Sequence, residues 1–481
     1  TGVDGVIPPS TAGFQKLHKL NLRHNYLTGD IPNFGSVLGA LRPLSFIDLS
    51  GNNLKGSIPL SVGRLSSLRY LCLENNQLSE AIPNTISELV TLEALTLSSN
   101  NLEGSVSLSM FQNLTRLKLL DLSRNHLTVD ISSSWVPWFE QLLYLGLGSC
   151  NIQGNNLSGG IPHSMCTDSM KSLDLSKNSL RDVIPKDLGR CYNLAVLNLA
   201  QNNLHGEMPE ELGNLTYIET LNLNGNNLQG TIPSSITNCA FLKVFDTGHN
   251  QIQGTIPVWF KGLKQLKILS LTFNKFEGSI PPELIEMQNL QVLDLSHNKL
   301  TGTIPTNLGN LSAMVNESQS FESLYTQGFE MGIDVRSFVF PGHVSIFVDH
   351  ITVWMKGREL QYPKIWRAFK FMDLSHNKLS GNIPEEMGLL KGLIALNISK
   401  NNLTGSIPKS LEGMVNLESL DLSGNELSGK IPSELLNLTF LSALNLSDNV
   451  LSGLIPQGKQ FATFEASSFQ GNTNLHGFPL K

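Results

Sequence analysis

Leu293-Asp294-Leu295-Ser296-His297-Asn298-Lys299-Leu300 decides the fold. Its leucines alternate with polar residues at a period of two, which describes a short strand with one buried face. Asn298 then turns the chain, and its amide both donates to and accepts from backbone groups that a turn sets free. The unit returns at a spacing of about 24 residues. Its asparagine is read at Asn52, Asn76 and Asn100, then at Asn178, Asn202, Asn226, Asn250, Asn274 and Asn298, and again at Asn377, Asn401, Asn425 and Asn449. One such unit cannot bury its own leucines. Neighbours must therefore stack into a continuous core, a quasi-one-dimensional solenoid with strands on a concave wall and the asparagines piled in a ladder.

The half-repeat after the asparagine reads Leu300-Thr301-Gly302-Thr303-Ile304-Pro305, Leu403-Thr404-Gly405-Ser406-Ile407-Pro408 and Leu427-Ser428-Gly429-Lys430-Ile431-Pro432. It resembles the plant-specific leucine-rich repeats, whose Leu-x-Gly-x-Ile-Pro segment adds strand pairing beside the main sheet. The resemblance implies an α/β solenoid: a plant-specific leucine-rich-repeat superhelix with a parallel β-sheet on its concave face.

Composition suits an extracellular binding surface. The chain has 481 residues, a net charge of −6 and 15% charged residues, which gives no footprint for a phosphate-backbone ligand, so no nucleic acid is expected. Nine sequons, at Asn113, Asn156, Asn214, Asn310, Asn316, Asn397, Asn402, Asn437 and Asn445, favour secretion and glycosylation. Those at Asn397 and Asn445 fall on outward strand positions. Cys191 and Cys239 precede strands at equivalent positions two repeats apart, roughly 10 Å at strand spacing. That is beyond a disulfide's reach, and both are expected as small buried fillers. Cys72 is expected to point outward from its strand. Cys150 stands where a ladder asparagine belongs, and Cys150 with Cys166 is the one conceivable pair. No metal-ligand spacing and no cofactor motif is present.

Breaks in the period divide the chain. Residues 1–154 form a first array that opens in mid-repeat, without a cap or signal peptide. Residues 155–312 form a second array after an apparent internal deletion, because the turns ending at Gly154 and at Pro162 follow each other without an intervening strand. Loose packing is expected around Leu145 and Leu157. Residues 366–456 hold four further repeats. The stretch 457–481, with Gln460-Phe461-Ala462-Thr463-Phe464 and Gly477-Phe478-Pro479-Leu480, resembles an incomplete C-terminal cap of plant receptor-like proteins, with His476 where that family has cysteine. No run of about 18 apolar residues occurs, so no membrane span is expected.

Between Asn298 and Asn377 the period vanishes. Residues 313–365 are rich in aromatics, among them Phe338, Phe340, Phe347, Trp354 and Tyr362, which argues against a disordered linker. Ile351 and Val353 alternate like a strand. An insertion with four repeats after it resembles the island domain of plant leucine-rich-repeat receptor-like proteins, the group of Cf-type resistance proteins and of receptors for microbial xylanase and xyloglucanase. Lys356-Gly357 followed by Tyr362 matches the family's island ending, and Phe347 stands where members that recruit a co-receptor often have tyrosine. The resemblance implies a co-receptor contact through Phe347, Lys356, Gly357, Tyr362 and Lys400. Lys356 and Arg358 beside Trp354 and Tyr362 also offer cationic and aromatic groups suited to a peptide or protein ligand.

On the concave wall the reading places Tyr144, Phe273, Asp294 and Asp373 outward as further ligand candidates, with His249, His297 and His376 beside the ladder. If the island loops out, Asp294 and Asp373 become neighbours about 5 Å apart, a spacing that suits paired carboxylates of a glycosidase. Aspartate recurs at this position throughout the array, however, and an open wall offers no dry pocket to split two pKa values, so no catalysis is expected. The expectation is a recognition module. It would bind a secreted peptide or protein and, by resemblance, engage a leucine-rich-repeat co-receptor kinase and an adaptor kinase, from the apoplast or the cell surface. The alternatives are a soluble inhibitor of a microbial wall-degrading enzyme or a secreted decoy.

Overall fold

The computed structural model describes residues 2–13, 16–34, 43–130, 140–148, 158–316, 329–330, 351–355, 358–362, 364–365 and 369–480. They fall into two compact units that part between Ile218 and Glu219. In the first, eight short strands from Lys19–Asn21 to Val196–Asn198 pair in parallel. In the second, eight more run from Thr220–Asn222 to Ala443–Asn445 in the same manner. Every pairing aligns the same three repeat positions, because a slip of one residue would turn the buried leucines outward. Leu293, Leu295 and Leu300 are fully buried, and their counterparts fill the core of each unit.

Proline ends the second half of most repeats and opens a five-residue 3-10 helix, as in Thr306–Asn310, Glu385–Leu389 and Lys409–Gly413. Its fixed φ and missing N–H suit a helix start. Short side strands, such as Asn53–Gly56 and Lys275–Gly278, carry the additional pairing implied by the half-repeat.

The ladder asparagines stitch repeat to repeat. Asn377 Nδ2 donates to the carbonyls of Leu374 (3.2 Å) and Ser375 (3.1 Å) in its own turn and to that of Leu295 (3.0 Å) in the neighbouring repeat. Its Oδ1 accepts from the N–H of Leu300 at 2.9 Å. These last two bonds join residues about 80 positions apart in sequence, so the repeats on either side of the insertion meet as ordinary neighbours. Asp294 pairs with Asp373 in register. Within the insertion, Ile351–Met355 and Arg358–Tyr362 form an antiparallel hairpin, and Phe329–Glu330 pairs with Lys364–Ile365.

Three sequence expectations are corrected here. Cys166 is bonded to Cys191, their Cα atoms 5.2 Å apart, so Cys191 is no filler. Cys166 lies in the irregular repeat, where the period gives no position for it; Cys150 lies outside the described residues. Cys72 sits on the outward row but is buried by its neighbours, at 3% exposure. Finally, the strands flanking the irregular repeat pair directly, and the loose packing expected at Leu145 is not found. Tyr144–Gly146 pairs with both Leu119–Asp121 and Ser172–Asp174, and Leu145 is fully buried rather than loosely packed; Leu157 lies outside the described residues. Cys239 is buried and outside the disulfide, as expected of a filler, and burial pushes its thiol up to about 11.

Candidate functional site

The outward positions of the sheet are far from bare. The aspartate at the third strand position accepts from the N–H and hydroxyl of the serine two residues on. Asp294 takes bonds of 3.0 and 2.6 Å from Ser296 in this way, and Asp421 takes 3.0 and 2.6 Å from Ser423. The side chain thereby closes the turn that leads to the ladder. Asp294 and Asp373 are 7% and 3% exposed. Burial raises both, Asp294 to about 6 and Asp373 well above the usual carboxylate range, with the neighbouring carboxylate adding to the rise of Asp373. The expected absence of a dry environment is thus corrected. The dryness comes from packing along the strand row, and both carboxylates serve turns, with Asp373 also accepting from Asn397 at 3.0 Å.

Tyr144 is 2% exposed and belongs to an apolar cluster with Ala94 and Leu119, against Tyr70 and Leu143. It packs the wall rather than presenting itself to a ligand. Phe273 lies beyond its strand, Ile268–Ser270, in the turn where the histidines stand. There the rings of His249, Phe273, His297 and His376 form one column. Successive centroids lie 4.4, 3.7 and 3.9 Å apart, with planes within 15° of parallel. The turn repeats a positive φ near 50° at each of these residues, which aims successive side chains alike. Phe273 remains 44% exposed, whereas His297, held between two rings, is pushed down to about 4 by burial and by the neighbouring histidines. The histidines beside the ladder were legible in the sequence; their stacking through Phe273 was not.

Lys400 continues this row and is exposed. Trp354, Arg358 and Tyr362 lie on the hairpin strands, Trp354 opposite Glu359 and Tyr362 opposite Ile351. Phe347, Lys356 and Gly357, and the sequon Asn156, lie outside the described residues. Among the other sequons, Asn113, Asn214, Asn310, Asn316, Asn402 and Asn437 are exposed, while Asn397 and Asn445 are half-buried on the sheet.

At the end of the second unit a cavity of about 450 Å3 opens on the outward face, lined by Phe371, Asn397, Asp421, Asn445, Phe464 and Glu465 among others. Nothing in the repeat pattern marks it. Among the described residues, no group of three or more histidines, cysteines and carboxylates is placed to hold a metal ion, and no helix is long and apolar enough to cross a membrane.

Family models agree with this geometry. A leucine-rich repeat region model matches residues 148–356, and leucine-rich-repeat models match 368–427, 16–38, 43–65 and 67–89. Receptor-like protein 36 of Arabidopsis thaliana is 66% identical over 148 residues, 31% of this chain and 21% of the relative. The ectodomain of the Arabidopsis receptor kinase GASSHO1/SCHENGEN3, solved with CASPARIAN STRIP INTEGRITY FACTOR 2, superposes with a TM-score of 0.75 at 33% identity, covering 100% of this chain and 53% of that one. The Arabidopsis receptor kinase HAESA, solved with the peptide hormone IDA and the co-receptor SERK1, is 30% identical over 98% of this chain and 85% of its own, with a TM-score of 0.50. The chain belongs to the plant leucine-rich-repeat receptor-like family. Its match spans about a fifth of the length of receptor-like protein 36.

Proposed function

We propose that this chain is the extracellular recognition module of a plant receptor-like protein. It binds an apoplastic peptide or protein elicitor through the outward face of its sheet and the insertion at 313–365, and it engages a co-receptor kinase through its last four repeats. The observation that carries the reading is the likeness along the whole chain to a receptor ectodomain solved with its ligand. The HAESA structure, which holds both a peptide hormone and a co-receptor, supports the second contact.

The physical chemistry favours binding over hydrolysis. Asp294 and Asp373 each hold a turn together through serine bonds, so neither is free to serve as a positioned acid or nucleophile. The column of rings and the exposed Phe273 offer instead a stiff aromatic surface of the kind that anchors partners at low entropic cost.

The test is a pull-down from elicitor-treated apoplastic fluid with this chain, run beside a double variant Lys356→Ala, Tyr362→Ala and a variant Phe273→Ala. Capture of a secreted protein, peptide or co-receptor ectodomain by the unaltered chain, with loss in the double variant, assigns binding to the insertion. Loss in Phe273→Ala assigns it to the column of rings beside the sheet. Capture of nothing from fluid that triggers a response in the plant overturns the reading.

A further inference from the structure

The cavity at the end of the second unit has a cause legible in the strands. The first outward position runs Val244, Ile268, Val292 and Phe371, then drops to Ala395, Ser419 and Ala443. Large apolar side chains cover the sheet up to Phe371, which is fully buried. Alanine and serine leave the space beyond it empty. The turn segment 463–468 closes that space on its far side, bringing Phe464 and Glu465 over the strands.

The chemistry of the lining is one-sided. Asp421 and Glu465 are its charged groups, and no lysine or arginine lines it. Among the described residues neither carboxylate has a lysine or arginine ion-pair partner. Asp421 commits one oxygen to Ser423, and the other accepts a single long bond of 3.4 Å from Asn445, so acceptor capacity remains on the cavity side. Two carboxylates lining a concavity concentrate field lines and attract cations. The ring of Phe464 adds aromatic surface to the lining, which favours a flat, weakly hydrated cation over a compact ammonium.

We propose that this cavity binds the guanidinium of an arginine side chain on an extended peptide segment, with Asp421 and Glu465 as its counter-ions. The assignment deepens the receptor reading and rests on it for its biological meaning, since the arginine would belong to the ligand or to a partner ectodomain. Asn397 and Asn445 line the same cavity. A glycan on either would fill it, so both sequons are expected to stay unmodified although each satisfies the acceptor rule.

The experiment is a calorimetric titration of the full chain with acetyl-Gly-Arg-Gly-amide, beside the same tripeptide carrying citrulline, which keeps the shape without the charge, or lysine. Asp421→Asn and Glu465→Gln are the variants. Asparagine already performs the turn-closing role one repeat earlier, where Asn397 Oδ1 accepts from Ser399 N and Oγ at 3.1 and 2.7 Å, so Asp421→Asn is expected to fold, which a thermal melt checks. The arginine peptide should bind. Citrulline should weaken binding about tenfold or more, and each variant roughly five- to tenfold, in line with the loss of a charge-assisted hydrogen bond. Absence of arginine binding at millimolar peptide, citrulline or lysine binding as tightly, indifference of folded variants, or a glycan found on either Asn397 or Asn445 by mass spectrometry would each overturn the assignment. Because the peptide is defined, the titration stands or falls separately from the apoplastic pull-down.

Discussion

At the residue scale, one asparagine per repeat carries an unusual share of the structure. Asn377 makes four hydrogen bonds, two of them to the repeat on the other side of the insertion. Asn377→Ala should therefore destabilise the second unit by roughly 2–4 kcal/mol, since buried carbonyls and an N–H are left unpaired; urea unfolding measures it. The titrating groups make a second prediction. Asp294 is raised to about 6 from 3.8, so between these values the folded chain binds more protons and its stability falls as pH rises. His297 is lowered to about 4 from 6.5, so there the unfolded chain binds more protons and stability rises with pH. The two slopes oppose each other near pH 5. Asp373 and Asp246 are raised by burial as well and add to the falling slope, so the check is a difference: between pH 4 and 6 the stability of Asp294→Asn should rise more steeply, or fall less, than the parent's, and urea midpoints of the two that run parallel would contradict it.

At the element scale, the 3-10 helices approach each other too closely for side chains at one recurring position. A methyl group on Gly388 would press against the backbone carbonyl of Ser410 in the next helix. Gly388→Ala should cost about 1–3 kcal/mol through overpacking, whereas Gly262→Ala, which meets nothing within 4 Å, should be near neutral; paired thermal melts decide this. The disulfide ties the irregular repeat to the start of the next. Closing a loop of 25 residues' separation stabilises by roughly 3 kcal/mol in the chain-entropy account. Non-reducing peptide mapping should recover Cys166 linked to Cys191, with Cys72 and Cys239 alkylated only after unfolding, and reductant should lower the urea midpoint.

At the scale of the molecule, the sheet continues across the point where the insertion interrupts the repeats, Val292–Asp294 pairing with Phe371–Asp373. Gly392 N donates to the Met314 carbonyl, and Lys370 Nζ to that of Asn316, so the chain leaves and returns at one place. Replacing residues 317–368 by a short Gly/Ser linker should preserve the far-ultraviolet spectrum and cooperative unfolding of the second unit; loss of the folded unit would contradict it. The period, the ladder, the parallel sheet and the aspartate neighbours across the insertion were all legible in sequence, because each follows from a local pattern repeated until only one packing satisfies it. The disulfide, the buried state of Asp294 and Tyr144, the four-ring column and the cavity were not. Each depends on which side chains stand beside one another in adjacent repeats, at residues about 24 or more positions apart. Repetition of the sequence determines that neighbours stack; the volume, charge and solvent exclusion at each point of contact come into being only when they have stacked.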